Sequence, residues 1–247
     1  DGEGNVRFSD TITNNMWSAS SIKYYVPWII KVNGEIIEKF TLKDKRVLVS
    51  LESKSLGDTV AWAPYSVDLS IQRGCKVILS TFHNDWFRNL PEYSNIEFIE
   101  PGESTVCDVS YKVGWFYDEN REPEISNAIP LQQTISNIVG LEFKEIKSKI
   151  DFTPKERPIN DKYITICNES TAHLKLWNNK DGWKELTKYL KSLGYGVVNV
   201  SMNGEHIEGT IKISDTSIPN TLNYIHHSEF FIGLSSGLSW LSWAIDK

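Results

Sequence analysis

The chain has 247 residues, 40% of them hydrophobic and 23% charged, and its formal net charge is −6. This composition is typical of a globular protein with one large domain or two moderate ones, and the acidic balance argues against nucleic-acid binding, which usually needs a basic face. A membrane-spanning helix is not expected, because no apolar stretch reaches the ~20 residues that a bilayer requires.

Residues 1–43 are predicted to form a small β-rich segment. Its strand-like runs are VRFS, IKYYVPWIIKV and GEIIEKFTL. The dipeptide Asn33-Gly34 lies between the last two runs and is typical of a two-residue hairpin turn. The aromatic residues Trp17, Tyr24 and Tyr25 make this segment a candidate assembly surface for a homo-oligomer.

From residue 44 to residue 141 the pattern changes to strands that alternate with helices. The predicted strands cover 46–52, 76–82, 96–100 and 108–116, and the predicted helices cover 58–72, 83–90 and 131–141. Such alternation indicates parallel βαβ units rather than a sandwich. We therefore predict a first Rossmann-like domain over residues 44–141, on the acceptor side.

Residues 142–162 are charged, contain two prolines and lack a clear period, so we interpret them as a linker. A second βα series follows over residues 163–247, on the nucleotide-sugar side. Its predicted strands cover 163–169, 196–202 and 229–235, and its predicted helices cover 182–195, 219–228 and 237–246. Because doubly wound domains normally return to the sheet after a helix, we expect a further C-terminal segment and treat this domain as incomplete.

Two βα halves joined by a linker predict an α/β protein with two Rossmann-like domains that face a cleft. In open parallel sheets, ligands bind outside the carboxyl ends of the strands. The loops after strands 46–52, 163–169 and 229–235 are therefore the expected sites of chemistry.

The first of these loops leads into SLGDTVAW. Gly57 allows a tight turn there, and the N–H groups at the start of the next helix suit an anionic group of a substrate. Asp58 has two interpretations: it is a general base aimed into the cleft, or it caps the helix and contributes about 1 kcal/mol to stability. The local sequence alone favours the cap.

The second loop leaves its strand with two hydroxyl residues, Ser170 and Thr171, and Lys175 follows them. Hydroxyls and a lysine in such a loop suit an oligophosphate, because the lysine stabilises charge on a leaving group. The alternative is an ordinary polar loop with a solvated lysine.

The third loop carries Ser235, Ser236 and Gly237 between a buried strand and a helix. The N–H groups at that helix start, with the two hydroxyls, are suited to hold a phosphate, and the alternative is that Ser236 only caps the helix. The G-x-S-x-G spacing of a nucleophile elbow is also met. A hydrolase would still need a histidine downstream, and the only acid that follows is Asp246.

The three cysteines, Cys75, Cys107 and Cys167, are odd in number and widely spaced. This spacing argues against a disulfide framework or a zinc site, favours packing roles, and fits a reducing, cytoplasmic compartment. The sequence has no Asp-x-Asp motif and no other ligand pattern, so no metal site is predicted in this chain.

In this order and on these elements, the three loops resemble those of bacterial heptosyltransferases of the GT-B architecture. They resemble more closely the protein O-heptosyltransferases that modify autotransporter adhesins. The resemblance covers roughly residues 20–247 and rests on the strings SLGDT, KLWNNKDGW and GLSSGLSWL. Ser235 and Trp240 stand where the enzymes of lipopolysaccharide synthesis have an acid and a histidine, which weakens the case for a lipopolysaccharide acceptor.

The resemblance implies an inverting transfer of heptose from ADP-heptose to serine or threonine hydroxyls of an adhesin, without a covalent intermediate. Asp58 would be the general base, which favours that interpretation over the cap, and Lys175 would stabilise the ADP leaving group. The residues implied to bind the nucleotide sugar are Gly57, Thr59, Ser170, Thr171, Lys175, Ser235, Ser236 and Gly237. Trp177 and Trp240 would stack on the sugar or the nucleotide.

The resemblance implies no cofactor in this chain. The relatives carry iron in a C-terminal cysteine finger, and the cysteines of such a finger are absent from this sequence. Two alternatives stay open. One is another GT-B glycosyltransferase with a different donor or acceptor, such as the lipopolysaccharide core. The other is a non-catalytic subunit that binds a sugar nucleotide.

Overall fold

The computed structural model describes residues 4–25, 29–37, 41–114, 128–203 and 206–247. The chain divides into two compact units. The first unit comprises residues 1–54, 62–84 and 91–146, and the second comprises residues 55–61, 85–90 and 147–247. The predicted linker, 142–162, contains no helix or strand. The domain limits and the cleft between domains stay predictions.

The N-terminal segment contains one small hairpin, formed by β1 (Lys31–Val32) and β2 (Glu35–Ile36). Asn33 and Gly34 have φ angles of 51° and 85°, which is the left-handed geometry of a two-residue hairpin turn. The predicted turn is therefore confirmed, but VRFS is not a strand. Residues 26–28 and 38–40 of the other two predicted strands lie outside the described residues.

The sheet of the first unit has four parallel strands in the order β5-β4-β3-β6. They are β3 (Arg46–Leu51), β4 (Lys76–Ser80), β5 (Glu97–Ile99) and β6 (Val109–Val113). Each lies inside a predicted strand; residues 115–116 of the fourth prediction lie outside the described residues. In β4, every residue after the first is buried, as expected for a strand covered on both faces.

The single helix predicted over residues 58–72 is two helices, α1 (Leu56–Trp62) and α2 (Pro64–Arg73). Pro64 begins the second helix, because proline lacks the N–H that a continuous helix would need at that position. The real start at Leu56, two residues before the predicted one, changes the position of Asp58 in its helix.

The helix predicted over residues 83–90 is wrong, since only Asn84–Trp86 form a single 3₁₀ turn there. The side chain of Asn84 links this segment to the ends of two strands. It accepts the N–H of Thr81, after β4, at 2.9 Å and donates to the carbonyl of Ile99, in β5, at 2.8 Å. Helix α3 (Leu131–Val139) lies within its predicted range.

The second unit also has a four-stranded parallel sheet, in the order β10-β7-β8-β9. Its strands are β7 (Tyr163–Cys167), β8 (Gly196–Asn199), β9 (Ile211–Lys212) and β10 (Phe231–Gly233). Its helices are α4 (Gly182–Ser192), α5 (Ile218–His227) and α6 (Gly237–Ala244), together with the first six residues of α1. Strand β9 was not predicted, because two exposed residues give no pattern.

The core of the second unit forms between its sheet and α4. All five residues of β7 are buried, and Ile164 and Ile166 pack with Leu190 of α4 and Val197 of β8. The α/β class with parallel sheets, predicted from alternating strands and helices, is confirmed in both units.

Candidate functional site

The strand order of the second unit reverses at β7. From β7 the chain continues to β8 and β9 on one side, then returns to the other side with β10. In open α/β sheets, ligands bind at the carboxyl ends of the two strands that flank such a reversal. Here those ends are Cys167 and Gly233, which are neighbours in register. The predicted segments Ser170–Lys175 and Ser235–Gly237 directly follow these two strands.

The starts of α1 and α6 contact each other within the second unit. A Cβ atom on Gly57 would lie 3.0 Å from Cδ1 of Trp240 and 3.6 Å from Cα of Gly237. A Cβ atom on Gly237 would lie 2.8 Å from Cβ of Leu56 and 3.3 Å from the backbone N of Gly57. The two helix starts approach this closely only because both positions are glycine. The contact brings the SLGD turn beside the turn after β10.

Asp58 is the third residue of α1 and is half-buried. The residue before the helix is Ser55, whose carbonyl accepts the N–H of Thr59 at 3.2 Å. A cap residue stands outside the first helical residue, so the N-cap position belongs to Ser55 and not to Asp58. The capping interpretation of Asp58 is therefore wrong as stated, although a carboxylate in the first turn still interacts favourably with the helix dipole.

Ser236 precedes α6 with an extended backbone, φ −142° and ψ 174°, but its side chain makes no cap hydrogen bond. Its hydroxyl oxygen is buried. Ser235, in contrast, is exposed. The turn therefore presents one exposed hydroxyl beside the free N–H groups of an eight-residue helix.

Cys167, at the end of β7, lies under this turn. Burial raises the pKa of its thiol, and hydrogen bonds with the backbone of Glu169 and with the hydroxyls of Ser201 and Ser236 oppose this shift. A thiol held protonated in this way is a packing group rather than a nucleophile. The packing role predicted for Cys167 agrees with this environment.

The Ser170–Lys175 loop is largely open to solvent. Thr171 and Lys175 are exposed, and Ser170 is half-buried. His173–Lys175 form a single 3₁₀ turn, in which the N–H of Lys175 donates to the carbonyl of Ala172 at 3.0 Å. The exposed lysine thus belongs to a short turn near the carboxyl end of β7, where its side chain would be accessible to a ligand phosphate.

Thr59 and the two candidate tryptophans pack inside the second unit. The Thr59 side chain is 0% exposed, and Trp240 covers Gly57 and meets Trp243 edge-on, with ring centroids 5.6 Å apart. Trp177 meets Trp183 in the same manner at 5.4 Å and keeps 43% of its surface exposed. Of these three candidate residues, Trp177 keeps the largest exposed surface.

A polar cluster at the ends of β7 and β8 was missed by sequence reasoning. Side-chain hydrogen bonds join Asn168, Asn199 and Ser201, and the carboxylate of Glu169, the next residue after Asn168, accepts the backbone N–H of Met202. The available signal was their position, since all of them lie at or directly after the carboxyl ends of two neighbouring parallel strands. Their partners could not be read from the sequence.

The three cysteines are free, and Cys75 and Cys167 belong to different units. In the part of the chain that the structure describes, no three His, Cys, Asp or Glu residues come together as a metal-ligand group. The described residues therefore do not provide the ligand set of an iron centre. Among the described residues, no helix has both the length and the apolar character needed to cross a membrane.

No protein-family model matches the chain. It is 30% identical to the autotransporter heptosyltransferase TibC of Escherichia coli O78:H11 over 99% of its own length and 67% of that protein. A crystal structure of TibC, described as a dodecameric iron-containing heptosyltransferase in complex with ADP-D-beta-D-heptose, matches 95% of the chain and 66% of the TibC chain, with a TM-score of 0.79 and 28% identity.

A second relative bears on activity. The chain is 26% identical to BimC of Burkholderia thailandensis, described as an inactive autotransporter heptosyltransferase, over 99% of its own length and 64% of that protein. The chain thus spans about two thirds of the length of the relatives it matches.

Proposed function

This chain belongs to the family of the autotransporter heptosyltransferases, and we propose that it transfers heptose from ADP-heptose to serine or threonine hydroxyls of an autotransporter adhesin. The donor is taken from the TibC complex and the acceptor from the relatives' names. The proposal includes self-association, because TibC is described as dodecameric. A molar mass of 28.2 kDa in solution, that of one chain, would exclude self-association.

The observation that carries the proposal is the contact between Gly57 and Gly237. It joins the carboxylate-bearing turn at Asp58 to the turn after β10, so a general base and a set of phosphate donors belong to one unit. A transferase that avoids a covalent intermediate needs both: a base for the incoming hydroxyl and charge stabilisation for the departing diphosphate.

The proposed reaction is a single displacement. Asp58 takes the proton of the acceptor hydroxyl while its oxygen attacks the anomeric carbon of the heptose. The bond between that carbon and the phosphate oxygen breaks, and its electron pair leaves with ADP. Lys175, the hydroxyls of Ser170 and Thr171, and the N–H groups at Ser236 and Gly237 stabilise the charge that develops on the diphosphate.

The inactive relative BimC supports a second candidate function, a subunit that binds a sugar nucleotide without transferring the sugar. Mixing the chain with ADP-heptose and an unmodified adhesin fragment separates the two. Heptosylated adhesin, detected by mass spectrometry, supports the transferase. Binding of ADP-heptose by calorimetry with no modified adhesin supports the binding subunit, and the absence of both contradicts the proposed function.

Replacing Lys175 with alanine is expected to weaken ADP binding by about 10- to 100-fold, since a hydrogen bond to a charged group contributes about 1.5–3 kcal/mol. Stability should not change, because Lys175 is exposed on a one-turn helix. The measurement is titration calorimetry with ADP. Lys180→Ala is the matched control, because this lysine is also exposed and lies five positions further along the same segment. Equal affinities of the two variants for ADP would remove Lys175 from the site.

A further inference from the structure

The loops that follow β7 and β8 are fastened together by one carboxylate. The side chain of Glu169 accepts the backbone N–H of Met202 at 2.8 Å through one oxygen and that of Asn203 at 2.7 Å through the other. Hydrogen bonds to a carboxylate are roughly twice as strong as bonds between neutral groups. Glu169, in the loop after β7, therefore holds the start of the loop after β8 in place.

Ser201 makes a second connection between the same two loops. Its hydroxyl accepts the N–H of Asn168 at 2.9 Å and donates to Oδ1 of Asn168 at 2.6 Å. Asn199 completes the cluster, since its Oδ1 accepts the N–H of Ser201 at 3.0 Å and its Nδ2 donates to Oδ1 of Asn168 at 3.3 Å. Ser201 is 1% exposed, so loss of its hydroxyl would remove both of these bonds from the half-buried Asn168.

These two residues of the β7 loop, Asn168 and Glu169, directly precede Ser170. Beyond them the loop has little packing of its own, because Thr171 and Lys175 are exposed and His173–Lys175 form only one turn. Fixing a free residue's backbone on binding costs about 1–2 kcal/mol, so a loop held in place beforehand binds its ligand more tightly. The bonds from Glu169 and Ser201 are suited to hold it in this way.

We propose that Glu169 and Ser201 are positioning residues, which hold the Ser170–Lys175 loop in the conformation that receives the diphosphate of the donor. The identity of the ligand, the diphosphate of the donor, depends on the proposed function. The fastening of the loop rests on the hydrogen bonds alone and can be measured without any ligand.

The test compares Glu169→Ala with the wild-type chain in three measurements. Hydrogen–deuterium exchange of the free protein should become faster at the amides of Met202 and Asn203 and across residues 170–175. Affinity for ADP should fall about 10-fold, because the loop must then be ordered on binding. In the transfer assay, KM for ADP-heptose should rise while kcat changes less. Glu169→Gln should restore part of the affinity, since its amide keeps one acceptor oxygen.

Glu208→Ala is the matched control, because Glu208 is an exposed carboxylate of the same unit that pairs with Lys184 at 2.6 Å. This variant should leave both the exchange of residues 170–175 and the ADP affinity unchanged. Ser201→Ala is the second variant, and it should reproduce the faster exchange of residues 170–175.

The inference is overturned if Glu169→Ala leaves the exchange of residues 170–175 unchanged, or if exchange becomes faster while ADP affinity stays at the wild-type value. A wild-type chain that binds no ADP would contradict the proposed function instead. In that case the exchange measurement still decides whether Glu169 and Ser201 hold the loop.

Discussion

Asp58→Asn is expected to lower the rate of heptose transfer by about 10²- to 10⁴-fold, the usual contribution of a positioned general base. Asparagine has nearly the same size and keeps an acceptor oxygen, but it cannot take a proton from the acceptor hydroxyl at neutral pH. Affinity for ADP should be nearly unchanged, because the base acts on the acceptor and not on the diphosphate. Transfer assays and ADP calorimetry on the same preparation measure both effects.

A stability measurement separates this role from a structural one. Asp58 is in the first turn of α1, and the loss of its charge there costs about 0.3–1 kcal/mol of the free energy of unfolding. Asp215→Asn is a suitable control, because Asp215 is another carboxylate near a helix start of the same unit: it lies before α5, and its Oδ1 accepts the N–H of Ser217 at 2.9 Å. If Asp58→Asn transfers heptose as fast as the Asp215→Asn control, Asp58 is not the base.

Gly237→Ala should disturb both the stability and the activity of the second unit. The added Cβ would lie 2.8 Å from Cβ of Leu56, closer than two carbon atoms can approach, and 3.3 Å from the backbone N of Gly57. Neither atom is at the end of a flexible side chain, so the start of α1 must move. Such overpacking typically costs 1–3 kcal/mol in the free energy of unfolding, which a denaturant titration measures.

The same substitution tests whether the contact matters for chemistry. Moving the start of α1 also moves Asp58, and a misplacement of about 1 Å in a catalytic group is enough to cost roughly 100-fold in rate. Gly196→Ala is the control within this unit, because its Cβ would lie 3.4 Å from Cβ of Tyr163, an ordinary contact. A Gly237→Ala variant as stable and as active as Gly196→Ala would show that the close approach of the helix starts is not required.

Several features of the site could be predicted from the sequence because each depends on neighbouring residues. The turns at Ser170 and Ser236 each follow an apolar strand and precede a one-turn helix or a helix, and the structure has them at these positions, whereas Gly57 lies inside α1 as its second residue. The identity of the helix cap could not be predicted in the same way. A shift of two residues in the start of α1 changes the N-cap from Asp58 to Ser55. Sequence patterns locate helix ends only to within one or two residues.

The sequence by itself determined the class of the protein: its alternation of apolar strands and amphipathic helices can bury both faces of a sheet only in parallel βαβ units, and both four-stranded sheets are parallel. Only the tertiary structure decided which distant residues meet. The contact of Gly57 with Gly237 and the bonds of Glu169 to Met202 and Asn203 join segments far apart along the chain. Close packing of glycines and hydrogen bonds from backbone N–H groups leave no periodic pattern, because every residue except proline offers an N–H and a glycine shows no partner until two backbones are placed together.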